Sequence, residues 1–527
     1  MSRSDSESTD SDNNNEEPYS YDYYLQRIMP NAQYGDNVDL DDNSSLDFEI
    51  LDDHSDSEVE LLNSSDESDN LSDTSSHSSR HSSLLAPFIR IGGITNEQTS
   101  VSVAKPNSWC IPKELYKREI GNYDRRAKWS NNFYQSEVAV QKLKLSKQLI
   151  GHKGCVNSLD FNNAGDVIAS GSDDCNICLW NWSQGTCISK YRTAHFKNIF
   201  QTKFLTTQGD VHIVSSGLDG LIILSTAINS DRFSSKIIAR HDRQCNKLGL
   251  HPEVPYVILS CGEDGVVKNI DIRESLLLDN MKITNILHMK DTNGAFMKLF
   301  SIDINPMNPF EFIINGDDEY VRMFDKRKLS NGPIKMFEAS YPHDRQPGED
   351  NNCHSITSRD SNYEPNVTSA VYNYCGTEIL ASYSEDDIYL FDVNGPPRSY
   401  IRRYNGHINK STLKCVNFYG PRSEYVVSGS DCGCLFIWDK KTEAIVQRKH
   451  ADARGAVNVL EGHPHMPTLA TSGLDKTIKI WEPLSKGKLQ NKKKLQRAIL
   501  KNRIVNSERF RLRLTDYRLE RMVRYDF

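Results

Sequence analysis

Residues Ala169–Trp180 read ASGSDDCNICLW. An apolar run enters a Ser/Gly/Asp turn, and a second apolar run leaves it and ends on tryptophan. β-Branched and apolar runs bounded by such a turn read as two strands of a hairpin. Asp174 stands in the turn and Trp180 follows six positions later. A carboxylate placed where a sheet packs needs hydrogen-bond partners.

The same spacing recurs along the chain. Asp219, Asp264, Asp318 and Asp475 each precede an end-of-strand residue by six positions, at Ser225, Ile270, Phe324 and Trp481. The surrounding text repeats as SSGLDGLIILS (215–225), SCGEDGVVKNI (260–270), INGDDEYVRMF (314–324) and TSGLDKTIKIW (471–481). Two looser copies are ASYSEDDIYLF (381–391) and SGSDCGCLFIW (428–438); the second has Cys432 where the aspartate belongs. Histidines stand before most turns, at His152, His195, His241, His407 and His450. A period of about 45 residues with one strand group per copy points to a repeat architecture.

The pattern resembles the WD repeat, whose period and Gly-His…Trp-Asp signature imply one four-stranded propeller blade per copy. The expected fold is all-β, a seven-bladed propeller over 138–484. His152, Ser170, Asp174 and Trp180 are expected to form a buried hydrogen-bond chain in blade one. His407, Ser428 and Trp438 keep part of it in blade six without the acid, and Thr471, Asp475 and Trp481 part of it in blade seven. Blades two to five lack the tryptophan and are expected to rest more on packing. The last copy stops at Trp481-Glu482-Pro483 without an outer strand. VAVQKLKL (138–145) is the expected donor of that strand, which would remove a free sheet edge.

Charge divides the rest. Residues 1–82 carry 22 acidic side chains against Arg3, Arg27 and Arg80, and 485–527 carry 14 basic against four acidic. The arm 1–85 is too polar to offset its chain entropy and reads as disordered. Its Ser–acid clusters at 55–58 and 64–69 suit acid-directed kinases. Residues 86–137 form a lead-in with one short helix at 112–121, where Pro near the start and Gly at the end fit helix asymmetry. The stretches 274–298 and 338–365 exceed an ordinary inter-blade loop. The tail 485–527 reads as partly helical, with Leu495, Ile499 and Leu500 on one side of KKKLQRAILKNR (492–503). Nuclear import, nucleic-acid contact or docking on the acidic arm are its open roles.

No stretch is apolar for the length a membrane span needs, and no signal-peptide core opens the chain. The 12 cysteines are scattered among strand-like runs, which reads as reduced thiols. Cys175-x-x-Cys178 is a lone pair, and His463-Pro-His465 supplies two ligands where zinc takes four. No phosphate loop or catalytic constellation is present, so neither enzymatic activity nor a cofactor or metal is expected.

Two copies end alike. ILSCGEDGVVKNIDIR (258–273) closes on Asp271-x-Arg273, and FIINGDDEYVRMFDKR (312–327) on Asp325-x-Arg327. Both arginines follow the third strand of adjacent blades and are expected on one face, where a planar guanidinium fork suits an interface. This resembles the double box of WD-repeat substrate receptors of cullin-4 RING ubiquitin ligases. Ile270 and Phe324 stand where that pattern prefers Trp. Further runs, such as VNFYGPRSEYVVSGSDCGCLFIWD (416–439), look like the factor-eight subfamily of the DDB-and-cullin-4-associated factors. The resemblance implies a non-catalytic receptor in nucleus and cytoplasm. Asp271, Arg273, Asp325 and Arg327 would hold the ligase's triple-propeller adaptor, and the opposite face or the channel a protein substrate. The alternative is a WD-repeat scaffold for chromatin or RNA that uses the basic tail.

Overall fold

The computed structural model describes residues 131–502 apart from 206–210, 230–231, 274–281, 291–293, 340–364, 397–398, 454 and 485–492, together with Tyr116, Glu119 and Ile120. The expected arm 1–85, most of the lead-in and of the insertion 338–365, and the tail beyond 502 lie outside the described residues.

The strands form seven four-stranded sheets, each antiparallel throughout. Six are consecutive in sequence: Val156–Arg192, Ile199–Arg240, Cys245–His288, Leu299–Phe337, Val367–Tyr404 and Val416–His450. The seventh joins Val457–Gly462, Leu469–Gly473 and Thr477–Pro483 to Leu143–Ile150. The first strand of every blade touches the first strand of the next, and blade seven's touches blade one's. The ring is therefore closed, and the first strands line its axis.

The core is not at the centre. Seven apolar clusters lie between successive blades, each built from two neighbours. Middle strands are covered on both faces, which explains why they read as continuous apolar runs rather than alternating ones. Ile258, Leu259, Ile313 and Ile314 show no exposed surface.

The closing strand is offset from its expected place. Residues Glu137–Gln141 form a short helix, and the strand is Leu143–Ile150. Ser136 caps that helix by accepting from Ala139 N at 3.3 Å, and Glu137 suits its positive end. Ala139 and Val140 are thereby buried. Beyond it, Leu145 pairs with Trp481 and Leu149 with Ile478, across a register shift between Leu145 and Lys147.

Leu149 is 1% exposed and its neighbour Ile150 73%. Leu149→Asp is expected to lower the stability of the propeller by about 3 kcal/mol or more, because an unpaired charge enters the blade seven–one core. Ile150→Asp is expected to stay within about 0.5 kcal/mol. Chemical denaturation of the two variants measures both.

Candidate docking site

Each blade turns twice near its third strand, once before it and once after it, at opposite ends of the ring. The turn before it carries the repeated aspartate. In blade one, His152 Nδ1 lies 3.2 Å from Asp174 Oδ2, and its Nε2 lies 2.8 Å from Ser170 Oγ. Trp180 Nε1 donates to the same Ser170 Oγ at 2.8 Å. Burial pushes the Asp174 carboxyl up, but hydrogen bonds from His152 and Lys153 N outweigh it and hold it well below the usual range.

Blades two and three build the same chain without tryptophan. His195 bridges Asp219 and Ser215 at 3.0 Å each. His241 bridges Asp264 and Ser260 at 3.0 and 2.9 Å. They do not rest on packing alone, and the signal was in the upstream histidines. Blades four and seven solve the turn differently. Arg322 Nη1 donates to Asp318 Oδ1 at 2.9 Å, and Lys479 pairs with Asp475. Both cations stand four positions after the acid. Trp481 Nε1 donates to Thr471 Oγ1 at 2.8 Å, whereas His450 ends the outer strand of blade six, exposed.

The expected blade-six chain does not form. His407 is buried with neither ring nitrogen hydrogen-bonded. Trp438 Nε1 donates instead to Asn405 O at 3.0 Å, and Ser428 Oγ to Gly429 O at 3.2 Å. Cys432 in the acid's place offers no carboxylate to orient the ring.

The corner after the third strand holds the paired arginines. Asp271 Oδ1 accepts from Arg273 N at 3.1 Å and from Arg273 Nε at 2.9 Å. Asp325 Oδ1 accepts from Arg327 N at 2.9 Å and Nε at 3.0 Å, and its Oδ2 from Arg327 Nη2 at 2.8 Å. Each aspartate thus closes the backbone turn and forks its arginine. The Arg327 hydrogen bonds hold the Asp325 carboxyl down at about 2. Blades five and six keep only the turn: Asp392 Oδ1 accepts from Asn394 N at 2.9 Å, and Asp439 Oδ1 from Lys441 N at 3.0 Å. The acid therefore has a structural job of its own, and the arginine is the addition.

Both guanidinium groups face solvent, with side chains 63% and 56% exposed. Arg327 lies over the Phe310 ring, 4.4 Å from its centroid. Phe310 and Met307, in the loop joining the first two strands of blade four, are themselves exposed. Sequence reasoning missed this apolar neighbour because the loop shares no motif with the Asp-x-Arg corner.

The remaining candidates serve the fold. His463 Nε2 and His465 Nε2 lie 2.7 Å from Gly165 O and Asn163 O, joining blade seven to blade one. Cys178 is buried in the same interface. Among the described residues no three His, Cys, Asp or Glu side chains converge on a metal position. No described helix is long and apolar enough to cross a membrane. The described part of the tail is a helix, 493–502, packed on blade six through Leu495 and Ile499. Asn502 Nδ2 donates to Gly406 O at 2.8 Å, whereas Leu500 is 47% exposed.

The WD domain, G-beta repeat family matches residues 143–181, 398–439 and 445–482, the repeats that end on Trp180, Trp438 and Trp481. The chain is a seven-bladed WD-repeat propeller, a fold that typically serves as a non-catalytic scaffold. Within that class it is similar to DDB1- and CUL4-associated factor 6. The human protein is 32% identical over 290 residues, which cover 53% of this chain and 31% of that protein. Protein ALTERED SEED GERMINATION 2 of Arabidopsis thaliana is 30% identical over 281 residues, covering 48% and 36%. The WD repeat protein iqw1 of Schizosaccharomyces pombe is 28% identical over 299 residues, covering 53% and 36%. The match thus spans about a third of the length of these relatives.

Burial holds His407 neutral, with a pKa lowered from 6.5 to about 3. In the unfolded chain it takes up a proton near 6.5. Its contribution is fully present above that pH and is lost as the pH falls towards 3. His407→Phe is expected to flatten the acid limb of the stability–pH curve between these values. The wild type should lose on the order of a few kcal/mol more than the variant, measured by denaturation across the range.

Proposed function

We propose that this protein is a substrate receptor of a cullin-4 RING ubiquitin ligase and docks on the DDB1 adaptor. The observation that carries the reading is the pair of Asp-x-Arg corners. Adjacent blades three and four present the same fork at the same place, and blades five and six keep the acid without it. The ion pairs are exposed and add little to stability, so the fold alone gives no reason for two of them. A preorganised guanidinium beside an exposed aromatic is the composition of an interface anchor. Similarity to a protein named for DDB1 and CUL4 association supports the same partner.

In this reading the propeller does no chemistry. It fixes the distance between a bound protein substrate and the ligase, and it works in the nucleus and cytoplasm. Arg273→Ala with Arg327→Ala is expected to leave the thermal midpoint unchanged and to weaken adaptor capture about tenfold or more. Undiminished capture would remove the arginine site. No capture by the wild type would remove the role itself.

A second reading draws on the C-terminal helix, which exposes Lys493, Lys494, Arg497 and Lys501. A scaffold using that surface on nucleic acid would bind RNA or DNA in a salt-sensitive way, and would lose it when the tail 485–527 is deleted.

A further inference from the structure

At the end of the ring opposite the arginine corners, the axial channel opens through a cavity of about 260 Å3. Its position follows from the strands. Asn157, Phe200, Asn246, Phe300 and Asn458 are each the second residue of a first strand, and these strands start on the face of the histidine–aspartate turns.

The lining is uneven in charge. Among the described residues no carboxylate lines this mouth, and the cations there are Lys247 and Lys414. Lys414 is spent on Asp431 and on Thr412 O at 3.0 Å. Lys247 Nζ donates to Cys415 Sγ at 3.2 Å, a weak acceptor, and no carboxylate among the described residues lies within ion-pair distance of it. Lys247 also lines the deeper half of the channel. There Lys203 pairs with Asp160 at 2.6 Å. Burial pushes the carboxyls of Asp303 and Glu461 up from the usual carboxylate range.

The asparagine amides around the mouth are each held by a neighbouring group. Asn157 Nδ2 donates to Asp173 Oδ1 at 2.6 Å, Asn246 Nδ2 to Leu299 O at 2.7 Å, and Thr412 Oγ1 to Asn458 Oδ1 at 2.6 Å. The last bond fixes the amide orientation of Asn458. Phe200 and Phe300 are half-buried, and Leu413 is 45% exposed. The mouth is thus a preformed cavity with an under-used ammonium at its floor and apolar side chains at its rim, the usual make-up of a ligand site.

We propose that this mouth captures an acidic side chain flanked by an apolar residue in a protein segment, with Lys247 taking the carboxylate and Phe200 and Phe300 the apolar neighbour. As the place of substrate capture this rests on the receptor reading; as a binding site it stands without it.

Fluorescence anisotropy of the full chain tests it. The probes are labelled short peptides carrying one Glu beside Leu or Phe, and the same peptides carrying Gln. The wild type is expected to prefer the Glu set about tenfold, the worth of a charge-assisted hydrogen bond. Lys247→Gln should abolish the preference, and Phe200→Ala should weaken both sets alike, with folding checked by circular dichroism. Equal binding of the two sets, or a preference that survives Lys247→Gln, would overturn the proposal. So would displacement of the peptide by a single-stranded oligonucleotide that binds more tightly and is itself lost with Lys247→Gln. Arg273→Ala with Arg327→Ala should leave peptide binding intact, so failure of the adaptor reading and failure of the mouth are separable.

Discussion

The apolar clusters of the seven sheets lie between neighbours, so their packing is complete only in a closed ring, and closure depends on one strand pairing. Leu143–Ile150 lies against Thr477–Pro483, so the start and the end of the propeller sequence share a blade. Without it, the outer edge of blade seven would present unpaired backbone groups, and Leu149, Ile478 and Ile480 would lose part of their shared cluster. Closure also sets the geometry of function. In a ring every first strand starts on the same face, so the channel mouth and the Asp-x-Arg corners fall at opposite ends. In the proposed reading one face docks and the other captures.

The repeat was visible in the sequence because the turn carboxylate must be satisfied wherever it is buried. The partner is what varied. Blades one to three take a histidine from the preceding loop, whereas blades four and seven take a cation four residues on. A rule built on the histidine reads His450 as a member, and the structure puts that residue on an outer strand. Blade six shows the limit of the motif. His407, Ser428 and Trp438 are all present, but without a carboxylate at Cys432 they find other partners or none. The C-terminal helix was readable as amphipathic, but its buried side runs through Leu495, Ile499 and Asn502 rather than Leu500. An asparagine among apolar neighbours became intelligible once Gly406 O was seen as its acceptor. The closing strand was readable by role. Its bounds were not, because Ser136 caps a helix whose residues also fit a strand pattern.

The Asp-x-Arg corners were readable for a different reason. Asp and Arg two residues apart at a strand end satisfy one another locally, so the motif carries its own geometry. The channel mouth had no such signature. Its residues come from all seven blades, from first strands and the loops before them, spread over some three hundred positions, and only the ring brings Lys247 beside Cys415. Exposed motifs are short-range and show in text, while the site built on the axis is long-range and does not.

In the proposed reading one end of the ring binds the adaptor while the other stays open. Amide hydrogen exchange of the full chain, with and without the DDB1 adaptor, addresses it directly. Slower exchange is expected at 271–273, 305–310 and 325–327 on adding the adaptor, and no change at Asn157, Asn246 and Asn458. Protection confined to those mouth residues, or no protection anywhere in the propeller, would contradict it.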